Sequence, residues 1–215
     1  MLKSYLKYRR RRKGSFRIHS PFVFDFVTRG LKRAHNDDFE KLYSIYRVID
    51  RHRFCTRHKR HKARLIYKTA AYFDPENIIV VGPMNAMNIA ALALSCPQAR
   101  IHTTAWNEAY DELEAMGMNN LKLIKTDDID RLLTDEEREP VLIFLASSVC
   151  KSNFFNNLLP DDVVMIDNIH ADNEDEEGWE CMKNSQLVSF SMDLYHIGLL
   201  FFKQGFEKQE FVIKY

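Results

Sequence analysis

The spacing of hydrophobic residues changes character about one third of the way along the chain. Up to Lys68, apolar residues recur at intervals of three and four, which is typical of helices with one buried face. Ser20 is suited to be an N-cap and Pro21 to the first helical position. We therefore expect three or four helices in this part, with buried faces formed by Phe22, Phe26, Leu42 and Tyr46.

After Pro75, short apolar runs alternate with helical segments. The predicted strands are Ile78–Val81, Ile101–Ala105, Leu121–Lys125, Val141–Leu145, Val163–Ile166, Leu187–Met192 and Gly198–Phe202. Predicted helices include Met87–Ser95, Ala109–Met116 and Glu174–Lys183. Such alternation predicts an α/β fold with a doubly wound, mostly parallel sheet of seven strands and the first strand in its centre. The connections between the last strands are too short for a helix, so we expect an antiparallel hairpin at the end.

Length and hydropathy favour one well-buried domain with an appendage. The chain has 215 residues, of which 46% are hydrophobic. We divide it into an amino-terminal helical cap, residues 1–68, and an α/β domain, residues 69–215. No apolar run approaches the roughly 20 residues of a membrane span, and the basic start of the chain is not followed by an apolar segment. These features predict a cytoplasmic protein.

The charge is strongly divided between the two parts. Residues 1–68 hold 21 Lys and Arg against 5 Asp and Glu, a net charge of +16, whereas the remaining residues hold 10 against 25, a net charge of −15. Two explanations stay open: the basic part pairs with the acidic part, or it binds a polyanion such as RNA. The candidate RNA contacts are Arg9, Arg10, Arg11, Arg12, Arg57, Lys59, Arg60 and Lys62.

Several motifs together resemble a known family. They are "HSPFVFDFV", "YFDPENIIVVG", "DNIH", "EEGWECMKN" and "IGLLFF", and they extend from about His19 to the end of the chain. They are similar to a bacterial group of class I S-adenosylmethionine-dependent methyltransferases related to the O-methyltransferases. The resemblance implies a Rossmann-like fold of seven strands and a cofactor site at the carboxyl ends of the strands.

The turn after the first predicted strand keeps only part of the family's cofactor motif. Gly82 matches the first glycine of a turn whose backbone approaches the methionine part of the cofactor, but Ala86 stands at the second glycine. If Ala86 had a positive φ, its backbone would be strained by about 1 kcal/mol or more. An acidic residue is expected two positions before Gly82, where this sequence has Val80.

The resemblance places the remaining cofactor contacts after the second and third strands. Ala105 stands where a carboxylate would bind the two ribose hydroxyls, and Glu108, three residues later, would replace it only if the loop bends back. Asp127 matches a residue that often faces the adenine, although it is equally well explained as a solvated turn aspartate. We therefore expect S-adenosylmethionine to bind weakly.

The metal-dependent members of the family hold a divalent cation with three side chains, of which two are retained. Asp167 and Asn168 resemble the Asp-Asn pair after the fifth strand, whereas Ala146 replaces the Asp after the fourth. Two oxygen ligands are too few for a dedicated site, so we expect no metal. Asp167 and His170 are the catalytic candidates if the protein is active.

Three hypotheses for the function follow. The first is a methyltransferase-like protein that is weakly active or a non-catalytic binding protein. The second is an active S-adenosylmethionine-dependent O-methyltransferase that acts on a small hydroxylated acceptor. The third is a nucleic-acid-binding protein that uses the basic amino-terminal helices. The incomplete cofactor and metal positions favour the first.

Overall fold

The computed structural model describes most of the chain, namely residues 2–12, 14, 18–33, 35–49, 57–105, 108–118, 120–123, 127–135, 137–147 and 153–214. The helices are α1 Leu2–Arg11, α2 Pro21–Asp25, α3 Asn36–Ile49, α4 Arg57–Phe73, α5 Ala86–Ser95, α6 Glu108–Ala115, α7 Asp127–Leu133 and α8 Asn173–Lys183. A π-helical segment, Phe26–Leu31, continues α2, and a 3-10 helix covers Asn153–Asn157. The strands are β1 Asn77–Val81, β2 Arg100–Thr103, β3 Leu121–Leu123, β4 Val141–Leu145, β5 Val163–Asp167, β6 Phe190–Asp193, β7 Ile197–Phe201 and β8 Gln209–Val212.

The strands form one sheet in the order β3-β2-β1-β4-β5-β7-β6-β8. Neighbours among β1 to β5 are parallel, whereas β7 is antiparallel to both β5 and β6. β1 lies inside the sheet between β2 and β4, and Ile78, Ile79 and Val80 are fully buried, as expected of a strand in the interior of a parallel sheet. The predicted doubly wound sheet and its antiparallel hairpin are thus confirmed.

The last part of the chain contains one more strand than the seven predicted. β8 pairs in parallel with β6 and forms the edge of the sheet, with Gln209 opposite Phe190. β6 begins at Phe190, three residues later than predicted, because residues 184–187 form turns after α8. The hairpin is therefore made by β6 and β7, and β8 lies beside it.

The amino-terminal helices belong to the same core as the sheet. Ser20 caps α2, since its hydroxyl accepts a hydrogen bond from the Val23 amide at 3.4 Å. Phe26, Leu42 and Tyr46 are buried in one hydrophobic cluster that also contains residues of β1, β4 and β7. The boundary expected near Lys68 falls inside α4, which continues without interruption to Phe73.

Helix α4 also determines which residues of the basic part reach the sheet edge. Phe73, at its carboxyl end, lines a cavity together with Val141 and Val163 at the starts of β4 and β5. Lys62, about three turns earlier, contacts Asp167 at the end of β5. Ala63, Leu65 and Ile66 of this helix are fully buried. Within the described residues, no helix has the length and hydropathy that a membrane span requires.

Candidate functional site

The turn after β1 begins at Gly82. Gly82 has a φ of +87°, and a Cβ at this position would lie 3.2 Å from the Ala146 Cβ. Both facts explain why glycine is needed here. The Gly82 amide donates a 2.8 Å hydrogen bond to the Thr104 hydroxyl. This backbone donor is therefore occupied by a side chain of the protein.

The end of this turn is fixed by two further hydrogen bonds. Asn85 caps α5 by accepting from the Asn88 amide at 3.0 Å, and the Tyr110 hydroxyl donates to the Met84 carbonyl at 2.8 Å. Ala86 is the first residue of α5 and does not have a positive φ. The strain that a positive φ would cause at Ala86 is therefore absent.

Three apolar residues lie at or near the carboxyl edge where the family has carboxylates. Val80 is fully buried and pairs with Thr103 on one side and Phe144 on the other. Ala105 and Ala146 follow the neighbouring strands, and backbone hydrogen bonds from Thr104 to Val80 and from Ala146 to Val81 align them with Gly82. The three strand ends are thus adjacent and carry no carboxylate at these positions.

The two acidic cofactor candidates lie at the starts of helices. Glu108 is the first residue of α6 and Asp127 the first residue of α7. Their side chains lie outside the described part of the structure, as does that of Arg57. Their proposed contacts stay predictions.

The Asp-Asn pair at the end of β5 is hydrogen-bonded to a lysine of the amino-terminal part. Lys62 Nζ lies 2.8 Å from Asp167 Oδ2 and 3.2 Å from Asn168 Oδ1. The side chains of Lys62 and Asp167 are only 8% and 9% exposed. Burial raises the pKa of the Asp167 carboxyl above its usual value, and the Lys62 ammonium opposes that rise. Lys62 was expected among the RNA contacts, but its side chain is buried at the carboxyl end of β5.

The backbone at Asn168 helps to orient this pair. Asn168 has a φ of +56°, a conformation that asparagine tolerates better than most residues. Its amide donates a 2.8 Å hydrogen bond to the His196 carbonyl in the connection between β6 and β7. The other oxygen of the Asp167 carboxylate, Oδ1, is buried and has no hydrogen-bond partner among the described residues.

The second catalytic candidate, His170, is held between two carboxylates. Its Nε2 lies 2.9 Å from Asp193 Oδ2, and its Nδ1 lies 3.2 Å from Glu176 Oε1. Burial alone would lower the pKa of His170, but the two carboxylates outweigh it and hold this pKa above its usual value. The imidazole also stacks on Tyr195 with ring centres 5.5 Å apart. This arrangement favours a protonated ring with both nitrogens engaged, while a catalytic role for His170 stays a prediction.

Helix α1 covers the region beside His170. The rings of Tyr5 and Tyr8 both lie 5.2 Å from that of Tyr195. A gap of about 20 Å³ remains between α1 and His170. The contacts of His170 with Tyr195, Asp193 and Glu176 were not predictable from the sequence, because they depend on how the β6–β7 hairpin and α8 pack around it.

The Asp167–Asn168 pair does not fit a divalent cation in this structure. In the part of the chain that is described, no three His, Cys, Asp or Glu side chains are grouped to hold a metal. The two oxygens of the pair that point to a common position are bonded to an ammonium. A dication there would be repelled by Lys62.

Comparison with known proteins identifies the fold. No protein-family model and no curated protein matches the sequence. Among solved structures, a Podospora anserina methyltransferase bound to S-adenosylhomocysteine (SAH) is 14% identical with a TM-score of 0.57, covering 87% of this chain and 97% of that one. The O-methyltransferase TomG of Streptomyces achromogenes, bound to S-adenosylmethionine, is 16% identical with a TM-score of 0.52, covering 84% and 96%. A Bacillus cereus O-methyltransferase in complex with SAH is 14% identical with a TM-score of 0.50, covering 83% and 97%.

These similarities extend over nearly the whole length of each neighbour. The chain therefore has the fold of the class I S-adenosylmethionine-dependent methyltransferases, in the form found in O-methyltransferases. At identities of 14 to 16% the similarity defines the fold, and activity must be argued from the site.

Proposed function

We propose that this protein uses the methyltransferase fold as a binding scaffold, with weak S-adenosylmethionine binding and weak or no methyl transfer. The observation that carries the proposal is the alignment of Val80, Ala105 and Ala146 at the carboxyl ends of three adjacent strands. Ligands of such folds bind at this edge of the sheet. With Val80 and Ala105 in place of carboxylates, the site lacks acceptors for the ribose hydroxyls and the amino group of the cofactor. With Ala146 in place of Asp, it also lacks a metal ligand.

The expected loss of affinity is large. A hydrogen bond to a charged group contributes about 1.5 to 3 kcal/mol. Loss of two such contacts would weaken cofactor binding by roughly two to four orders of magnitude. The hydrogen bond between the Gly82 amide and Thr104 also weakens cofactor binding, because this backbone donor of the turn is already paired within the protein.

Restoring one carboxylate tests this proposal. Ala105 is half-buried in a loop, whereas Val80 is fully buried, so a carboxylate is accommodated better at position 105. Ala105→Glu should tighten S-adenosylmethionine binding by about tenfold or more in a calorimetric titration. Ala115→Glu, at an exposed position at the end of α6, is the matched control and should leave binding unchanged. Equal binding by both variants and the unmodified protein would contradict the role given to the missing carboxylate.

A second proposal concerns α1, because Arg9 and Arg10 are exposed on a helix whose other side packs on the protein. Arg11 is half-exposed and lies 3.7 Å from Glu210, a weak surface pair. We propose that these cations bind single-stranded RNA. Lys62 does not contribute to this surface, because it is buried and paired with Asp167. If five or six cations contact phosphates, log affinity should fall against log salt with a slope of roughly −4 to −5.

The matching experiment changes Arg9, Arg10, Arg11 and Arg12 to Ser and measures RNA binding from low to physiological salt. The variant should bind more weakly and show a shallower salt dependence. Equal, negligible binding by both proteins at low salt would leave pairing within the chain as the explanation of its charge distribution.

A further inference from the structure

The contact between Lys62 and the Asp167–Asn168 pair has a consequence for metal dependence. We propose that the Lys62 ammonium is a built-in cation that takes the position of a divalent metal, so that the Asp167–Asn168 pair binds no metal. Once Lys62 is removed, a divalent cation can bind there, with water molecules completing its coordination. The proposal concerns the acceptor side of the site. It does not depend on how tightly S-adenosylmethionine binds.

The geometry fits an ammonium. Charge-assisted N–H···O bonds have lengths of about 2.7 to 2.9 Å, and Lys62 Nζ lies 2.8 Å from the Asp167 carboxylate. The 3.2 Å contact with Asn168 Oδ1 is a longer hydrogen bond from the same group. Magnesium, in contrast, requires oxygen ligands at about 2.0 to 2.1 Å in an octahedral arrangement. After β4, where the third ligand of a metal site would stand, the chain has Ala146.

The charges also balance without a metal. One buried carboxylate faces one buried ammonium, and both are more than nine-tenths buried. A dication added to this pair would lie beside the ammonium in a region where charges are poorly screened. Removal of the ammonium leaves Asp167 with a buried, uncompensated charge and an Oδ1 that already lacks a hydrogen-bond partner among the described residues. Such a carboxylate has to be protonated or to bind another cation.

The packing of α4 holds Lys62 in this position. Its neighbour Ala63 is fully buried, and the ring of the preceding residue, His61, lies 6.1 Å from that of His196 beside the sheet edge. α4 also packs along α5. The amino-terminal part of the chain therefore supplies a cation to the edge of the sheet.

Binding of Mn²⁺, followed by electron paramagnetic resonance and by calorimetry at pH 8, tests the inference without any need for activity. The unmodified protein and Lys59→Ala, a variant of the lysine one turn earlier in α4, should bind no Mn²⁺ that depends on Asp167. Lys62→Ala, which removes the charge and frees space, should gain one Mn²⁺ site that binds at least about tenfold more tightly than any non-specific Mn²⁺ binding by the unmodified protein. The double variant Lys62→Ala with Asp167→Asn should lose this site.

Two results would overturn the inference. One is Mn²⁺ binding by the unmodified protein that Asp167→Asn abolishes, and the other is a folded Lys62→Ala variant that gains no site. Nitrogen-15 NMR of the lysine ammonium groups provides a second measurement that does not require a variant to fold. The unmodified protein should show one slowly exchanging, buried ammonium signal that Mn²⁺ does not broaden, and absence of such a signal would also overturn the inference.

Discussion

The phenol of Tyr8 donates a 2.5 Å hydrogen bond to the backbone carbonyl of Ile213, a residue 205 positions further along the chain. Both residues are buried. The bond joins α1 to the residue that follows β8, so the first helix is part of the folded body. The exposed arginines of α1 are therefore presented from a fixed helix.

Tyr8→Phe should lower the free energy of unfolding by about 1 to 3 kcal/mol, because the buried Ile213 carbonyl loses its hydroxyl donor. Tyr5→Phe is the matched control, since Tyr5 is more than one third exposed, and it should change stability by less than about 0.5 kcal/mol. Urea unfolding measures both. Equal effects of the two substitutions would show that the Tyr8 hydroxyl does not stabilise the attachment of α1.

Asp162→Ala should be strongly destabilising. The Asp162 carboxylate accepts two hydrogen bonds from Arg138, at 2.9 and 2.6 Å, and one each from the Val141 and Leu159 amides. Removal of this carboxylate leaves a buried guanidinium unpaired, which costs about 3 to 5 kcal/mol.

The adjacent Asp161→Ala variant is the control for that prediction. Asp161 pairs with Lys203 at 2.6 Å, but its side chain is 65% exposed, so its loss should cost less than about 1 kcal/mol. Urea unfolding of the two variants should differ by at least about 2 kcal/mol. A difference near zero would contradict the structural role assigned to Asp162.

The His170 ion pairs should make stability depend on pH above the ordinary pKa of histidine, 6.5. The pKa of His170 is raised in the folded protein, so the folded state binds more protons than the unfolded state in this window. The stabilisation is fully present below about pH 6.5 and is lost as pH rises through the raised pKa, with a slope of at most about 1.4 kcal/mol per pH unit.

Unfolding in urea between pH 6 and 9 checks this prediction, a range chosen to bracket the ordinary histidine pKa. His170→Gln should remove this part of the pH dependence, and Asp193→Asn should reduce it, because the 2.9 Å contact with Asp193 Oδ2 raises the pKa. An unchanged pH profile in His170→Gln would show that the imidazole does not carry the linked proton.

Local patterns were sufficient to predict the main elements of the fold. The buried runs that form β1, β4 and β5 are short, apolar and separated by helical segments. Ser20 and Pro21 predict the start of α2, because serine is a common N-cap and proline suits the first helical position. β8 was missed as an eighth strand because an edge strand needs little burial. Gln209 and Glu210 are exposed, so alternation alone does not distinguish them from a loop.

Only those features of the site that depend on a single sequence position could be predicted; contacts between distant residues could not. Gly82 could be recognised because a glycine follows the first predicted strand, and Asp167 because it stands beside Asn168 after the fifth, as in the family that the sequence resembles. The partner of Asp167 is 105 residues away in a basic stretch, where nothing in the local sequence separates Lys62 from its exposed neighbours. The same limit applies to His170, whose two carboxylate partners lie in α8 and at the end of β6.

Calorimetric titration of the unmodified protein with S-adenosylmethionine and S-adenosylhomocysteine tests the central claim most directly. With apolar residues at Val80, Ala105 and Ala146, we predict dissociation constants no tighter than the high micromolar range, on the order of 100 μM or weaker. The same titration in the presence of Mg²⁺ should give the same result, because Lys62 already occupies the Asp167–Asn168 pair. Low-micromolar binding of either molecule would contradict the account and support an active methyltransferase.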